Sequence, residues 1–432
     1  MKRRTAQFIW GAGALVASIG GHAARAQDVS ASPDAGTNFD RQRTVAVGDR
    51  VQPGYEQIGA RVGSFAVLPR IEVAALADDN VLARGDDRKG DVALVTAPSV
   101  RVLSQWSRNQ LALSASGDLA RMSRLKSEDR EGFALRGEGR IDAGSRFRVY
   151  AYTGLRRDVE RRSDPGALRN SVRPATYTTV SGGGRATWQG DRLRVSAEAG
   201  ASRIRYEDVT TSSGQVIDAR ALDRRQIQLG IRADYALTPD LAFLVSARVT
   251  KLSYPATASG DPSDRTSRKT ELLAGISFEF TDLLRGEVAV GHIDQHYRNP
   301  GLTDFGGFGG RAQIEYFPTQ LTTVRLDTSR TLHEAGNPLA PSYRRTHIGA
   351  QVDHELYRYL VLSASADFED DRFQAPDRIE RRVHLGLSGR YLINRNWSLV
   401  ARYDHLRVTT APRDLGRRLT ENAAIVGVLF TL

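Results

Sequence analysis

No cysteine occurs in the 432 residues, which excludes disulfides, thiolate nucleophiles and zinc–thiolate sites together. The fold has to be held by hydrogen bonding and packing alone. Long hydrophobic runs are lacking too. The one apolar stretch, residues 8–19, is shorter than the roughly 20 residues a spanning helix needs, and mean hydropathy is −0.39. Basic excess is small, with 61 Lys and Arg against 50 Asp and Glu, and it forms no clustered stripe with stacking aromatics, so nucleic acid is not an expected partner. A Gly182-Gly183-Gly184 run lacks the following helix and Lys-Ser/Thr of a phosphate loop. Glycines there suit a strand whose wall must accommodate bulky neighbours or a bend.

What is present is alternation. Ile227, Leu229, Ile231, Ala233 and Tyr235 interleave with Gln226, Gln228, Gly230, Arg232 and Asp234. Successive strand side chains point to opposite faces, so one face is apolar and the other polar. The same split recurs at Val383, Leu385, Leu387 and Tyr391, and at Phe133, Leu135 and Ile141. From Phe65 onward about eighteen such segments follow one another. Their centres fall near Ile71, Leu94, Ala115, Arg136, Ala151, Val180, Ala197, Leu229, Val245, Ile276, Val288, Ile314, Val324, Ile348, Leu362, Leu385, Ala401 and Val428. Short turns, as at residues 106–109, 142–145, 189–191, 238–240, 318–320 and 394–396, alternate with long polar connections at 157–174, 207–222, 255–267 and 333–341. A soluble sandwich has no reason to keep that two-beat order. The fold class expected is all-β: a transmembrane antiparallel β-barrel of about 18 strands.

The ends agree with export. Residues 1–26 carry Lys2, Arg3 and Arg4, the apolar run, and Ala24-Arg25-Ala26, the pattern of a signal peptide cleaved at an A-x-A site made by Ala24 and Ala26. Its loss would leave a net charge of +7. Residues 27–64 show no period and read as a periplasmic leader, linker or small plug, and residues 65–432 as the barrel. The location expected is the outer membrane of a Gram-negative cell.

Aromatic placement adds a third argument. Trp106, Trp188 and Trp397 lie at short turns, with Phe147, Tyr235, Phe280, Tyr316, Tyr357 and Tyr391 near the same end. Amphipathic rings prefer the headgroup level, so these mark a periplasmic girdle, and Tyr206, Tyr254, Tyr297 and Phe368 an outer one. Gly427, Phe430 and Leu432 stand at the G-x-x-aromatic-x-apolar spacing that resembles the C-terminal signal read by the barrel assembly machinery, with Leu432 in place of the usual aromatic.

If the apolar face meets lipid, the polar face lines a lumen. It would hold Arg136, Arg140, Arg148, Arg194, Arg232, Arg345, Arg382, Arg390 and Arg402, interleaved with Glu72, Glu138, Glu198, Asp234, Glu271, Glu279, Asp353, Asp367 and Asp404. Two readings stand open: a basic-leaning channel guiding acidic solutes through bidentate guanidinium contacts, or opposite charges pairing between strands and stiffening the wall. No metal is expected. His292 and His296 share a strand face, but residues four apart there are about 13 Å apart, and His347, His354, His384 and His405 are scattered. Ser388 near His384 is not a nucleophile elbow, so an outer-membrane hydrolase is a minor alternative, and no catalytic residue or cofactor is assigned.

The stretch Pro53-Gly54-Tyr55, Ile58-Gly59-Ala60-Arg61-Val62-Gly63-Ser64-Phe65, Pro69 and Asp78-Asp79-Asn80-Val81 resembles the start of the β-barrel porin 2 family, and Trp106-Ser107-Arg108 fits its first turn. Glu56-Gln57 departs from the turn expected after Tyr55. The resemblance implies an outer-membrane porin of proteobacteria often associated with exopolysaccharide production, hence a pore for polysaccharide export working with a periplasmic polysaccharide-export protein. The alternatives are a general diffusion porin for small anionic solutes, or a plugged structural barrel. Outer-membrane lipid is the expected surrounding in each case.

Overall fold

The computed structural model describes residues 44–432 apart from 166, 168–170, 256–263, 338–339, 375–376 and 413–417. The signal segment, with Ala24 and Ala26, lies outside the described residues. Eighteen long strands form the wall: β1 Phe65–Asp78, β2 Asp91–Ser104, β3 Gln110–Met122, β4 Arg130–Ala143, β5 Phe147–Val159, β6 Thr176–Gln189, β7 Leu193–Tyr206, β8 Arg224–Thr238, β9 Leu241–Ser253, β10 Ser267–Phe280, β11 Leu284–Tyr297, β12 Phe305–Thr319, β13 Thr322–Asn337, β14 Ala340–Tyr357, β15 Leu360–Gln374, β16 Asp377–Leu392, β17 Trp397–Ala411 and β18 Arg418–Thr431. Each pairs antiparallel with the next, and β18 closes on β1 from Arg70↔Thr431 to Asp78↔Ala423. Closure leaves no free edge and satisfies the wall's backbone groups, the requirement for crossing lipid without helices. All eighteen expected centres fall inside these strands.

Alternation sorts the faces as expected. Ile227, Leu229, Ile231 and Tyr235 of β8 are exposed on the outside, while Asp234 between them is fully buried inside. All nine aromatics of the expected periplasmic girdle are exposed at the short-turn end, and Phe430 packs on Trp397 there with ring centroids 4.8 Å apart. The outer girdle is corrected. Phe368 faces outward, but Tyr206 lines the lumen, and the hydroxyls of Tyr254 and Tyr297 bond Glu334 and Ser342 in the mouth. A phenol with a polar partner inside gains more there than at the headgroups. A second departure is an apolar inner patch of Ala74, Leu76, Val95, Met122 and Ile425, capped by Val81 of the first long connection.

The described parts of the connections at 79–90, 123–129, 160–175, 207–223, 254–266 and 298–304 lie at one end. The expected loop at 333–341 is instead the tip of a long β13–β14 hairpin, paired through Asn337↔Ala340. β12 and β13 pair only up to Gly310↔Arg330, so above that rung the hairpin leaves the wall.

Candidate functional site: the barrel lumen

All nine arginines assigned to the lumen project from the inner face, and most are tied to carboxylates. Arg136 bonds Glu138 at 3.1 Å and the Tyr150 hydroxyl at 2.9 Å. Arg140 and Arg148 share Asp142 at 3.4 and 3.0 Å, near the periplasmic end. Arg232 forks between Asp234 and Glu287, both at 2.7 Å. From Arg185 a chain of pairs runs through Glu198, Arg248, Glu271, Arg311 and Glu287 to Arg232, crossing seven consecutive strands. Arg345 holds Asp371 at 2.7 Å and Glu369 at 3.0 Å, and Arg382 holds Glu380 at 2.6 Å. The pairing reading thus describes most of the wall. Arg194 and Arg402 each have a partner as well.

Arg390 differs. It lines the cavity, with Arg70 and Asp353 as the charged groups that act on it. Among the described residues no carboxylate lies within 4 Å of its guanidinium.

A cavity of about 1200 Å³ runs along the lumen, lined by twelve arginines and fifteen carboxylates. The basic lean expected from the sequence is therefore not a property of the lining as a whole. Alternating charges on one strand face neutralise each other, and the arginine excess lies elsewhere.

Three segments narrow this space. Residues 160–165 of the connection after β5 turn inward: Arg162 grips Glu128 through two bonds of 2.6 and 2.7 Å, and Arg382 of β16 donates to the Ser163 carbonyl at 2.7 Å. The β13–β14 tip folds behind β10–β12. There the Glu334 carboxylate accepts from Lys269 at 2.8 Å, the Tyr254 hydroxyl at 2.7 Å and Gln295 at 3.1 Å. Lys269 and Arg265 cap the strand-edge carbonyls of Leu332 and Ala335 at 3.0 and 3.1 Å. At the opposite end the leader crosses the periplasmic mouth. Val47 is fully buried and its N–H donates to Thr323 Oγ1 at 2.9 Å. Asp49 pairs with Arg325, Gln52 donates to Glu355 at 3.0 Å, and the Gly59 N–H reaches the Leu432 carbonyl at 2.7 Å. The leader reads from the sequence as a linker or small plug, and the inward course of the other two segments is not read from it. The charged runs Glu160-Arg161-Arg162 and His333-Glu334 were the available signal.

A belt of acid and imidazole crosses five strands at mid-height: His347 lies 2.8 Å from Asp327 and 3.7 Å from Asp367, and His384 lies 3.6 Å from Asp367 and 3.1 Å from Asp404. Among the described residues no group has metal-ligand geometry. His292 and His296 project outward, His296 onto Asp304 at 2.7 Å. Tyr152 lies against the inner wall where the backbone of Gly183 and Gly200 passes, an added Cβ meeting its hydroxyl at 3.0 and 3.4 Å. The glycine run makes room for a lumen ring.

Among solved structures the chain is similar to Pseudomonas aeruginosa OpdL, at 13% identity over 86% of this chain and 100% of that chain with a TM-score of 0.43. It is similar to Pseudomonas aeruginosa OpdO, at 14% over 86% and 98% with a TM-score of 0.46, and to Acinetobacter baumannii OccAB2, at 12% over 87% and 99% with a TM-score of 0.46. No curated protein matches it. The family model described as Putative beta-barrel porin 2 matches residues 52–431, from the leader in the periplasmic mouth to the closing strand. The chain belongs to that family and is an outer-membrane β-barrel porin.

Proposed function

We propose that this barrel is a passive diffusion porin for small anionic solutes. The observation that carries the reading is Arg390, a lumen guanidinium without a carboxylate within 4 Å in a wall where most of the arginines assigned to the lumen are paired. A paired arginine offers a passing anion little, because its donors and field are already used. A free one offers a weak, reversible stop. The narrowing by residues 160–165, the hairpin tip and the leader suits small solutes. Polysaccharide export, which the family resemblance implied, draws no support from this lumen: a polymer needs a continuous clear bore, and here both mouths are crossed. The passage needs no energy source and no catalytic group.

Conductance and reversal potential across a planar bilayer under a salt gradient test the proposal. Arg390→Gln is expected to lower the anion-to-cation permeability ratio with little change in conductance. Unchanged selectivity would remove the anionic part of the reading, and no conductance at all would remove the pore.

A further inference from the structure

The arginine excess that the lumen does not hold lies partly on the outside. On β7, β8, β9 and β10 the outward positions are apolar from the short-turn end upward, for example Leu193, Tyr235, Phe243 and Ile276. At the long-connection end they turn basic: Arg203 and Arg205 on β7, Arg225 on β8, Lys251 on β9 and Arg268 on β10, all exposed. No outward position on these four strands carries an acid. Register sets like charges directly opposite, Arg203 beside Arg225 and Lys251 beside Arg268. Such pairs are destabilising on their own. Among the described residues none of these five side chains has a carboxylate within 4 Å.

Height fixes what they meet. Arg225 stands ten residues above Tyr235, and Arg203 ten above Leu193, itself the register partner of Tyr235. Ten residues make about 34 Å of strand, or roughly 26 Å along the membrane normal at a tilt near 40°. That matches the apolar band of about 25 Å, so a girdle at Tyr235 puts Arg203 and Arg225 at the headgroup level of the outer leaflet. A guanidinium there is matched by an oxyanion that takes two N–H bonds at once, which a phosphate monoester does.

We propose that the outward rim of β7–β10 is a docking surface for the phosphate groups of a phosphorylated glycolipid of the outer leaflet. The lipid's acyl chains lie on the apolar positions below, and its phosphates bridge the like-charged pairs Arg203/Arg225 and Lys251/Arg268. The rim of β14–β15 is a weaker version, because there the pair Arg344↔Arg372 has Asp370 beside it, 2.6 Å from Arg372.

The test is binding of bis-phosphorylated lipid A to the full-length barrel in neutral detergent micelles, against the fully dephosphorylated lipid and inorganic phosphate. Lipid A is expected to bind well above the dephosphorylated form. A variant with Arg203→Gln, Arg225→Gln, Lys251→Gln and Arg268→Gln is expected to bind it roughly 100-fold or more weakly, since each basic group near an anionic surface contributes on the order of 1 kcal/mol. Folding of the variant is read from heat-modifiable gel mobility. If it fails, the pair Arg203→Gln with Arg225→Gln carries the test, with about 30-fold weakening expected. Equal binding of lipid A by a folded variant overturns the proposal. So does equal binding of the dephosphorylated lipid by the native barrel, and inorganic phosphate binding as tightly as lipid A would leave a free-ion site in place of a headgroup site.

Discussion

Glu334 holds the β13–β14 tip inside the mouth, and removing its carboxylate should release it. The side chain is 3% exposed and accepts from Lys269 at 2.8 Å, while Lys269 is 19% exposed. Losing one partner of a buried ion pair strands the other charge, at about 3–5 kcal/mol. Lys269 keeps its bond to the Leu332 carbonyl at 3.0 Å and some access to water, so the lower figure applies to Glu334→Ala. About 3 kcal/mol moves the balance between inward and released tip by roughly 100-fold. Burial pushes the Tyr254 hydroxyl well above its usual range, so it stays a donor to Glu334 at neutral pH. Glu334→Gln, which keeps an acceptor for that hydroxyl but loses the charge, should fall between wild type and Glu334→Ala. Single-channel recording is the assay: the alanine variant should show longer-lived or more frequent high-conductance states. Because the chain has no cysteine, Ala335→Cys supplies a unique thiol at a 2% exposed position of the tip. A charged maleimide should label it faster in the Glu334→Ala background. Identical conductance, dwell times and labelling in the two backgrounds would falsify the latch.

The leader should act as a second, independent restriction. Replacing Asp49 and Gln52 by Ala removes the pair with Arg325 and the 3.0 Å bond to Glu355, and single-channel conductance should rise with the barrel's melting point nearly unchanged; equal conductance would place the segment outside the ion path. Gly291 has no room for a side chain, since an added Cβ would lie 1.9 Å from the Leu272 carbonyl oxygen. Gly291→Ala should therefore force β10 and β11 apart and lower stability by about 2–4 kcal/mol, read as loss of the heat-modifiable folded band at lower urea. Gly144, which has a positive φ of 77° and nothing within 4 Å of an added Cβ, should tolerate Asn with little effect, as Asn also adopts that backbone conformation.

The wall was legible because a membrane barrel imposes a period of two on every strand and separates the strands by turns of two kinds. Ile227 to Tyr235 shows the period without any neighbour, and its register partners on β7 and β9 repeat it. What fills the lumen was not legible, since folding inward is decided by partners distant in sequence. Arg162 meets Glu128 across 34 residues and Val47 meets Thr323 across 276, and neither segment has a period to betray its place. Tyr206, Tyr254 and Tyr297 show the limit well. They stand at the right height for an outer girdle, but Tyr206 and Tyr297 have the parity of the inner face, and Tyr254 lies past the end of β9 where parity no longer applies. Parity, where a strand is regular, is a stronger signal than residue type. The same rule separates most of the arginines: inner-parity ones such as Arg136, Arg232, Arg345 and Arg382 find carboxylates, Arg390 being an exception, and those on outer parity at the long-connection end of β7–β10 find none. A wall built only for stiffness would not leave five unpaired basic residues together on the outer face at one end. That distribution fits the proposed solute path inside and the proposed anionic headgroup contacts outside.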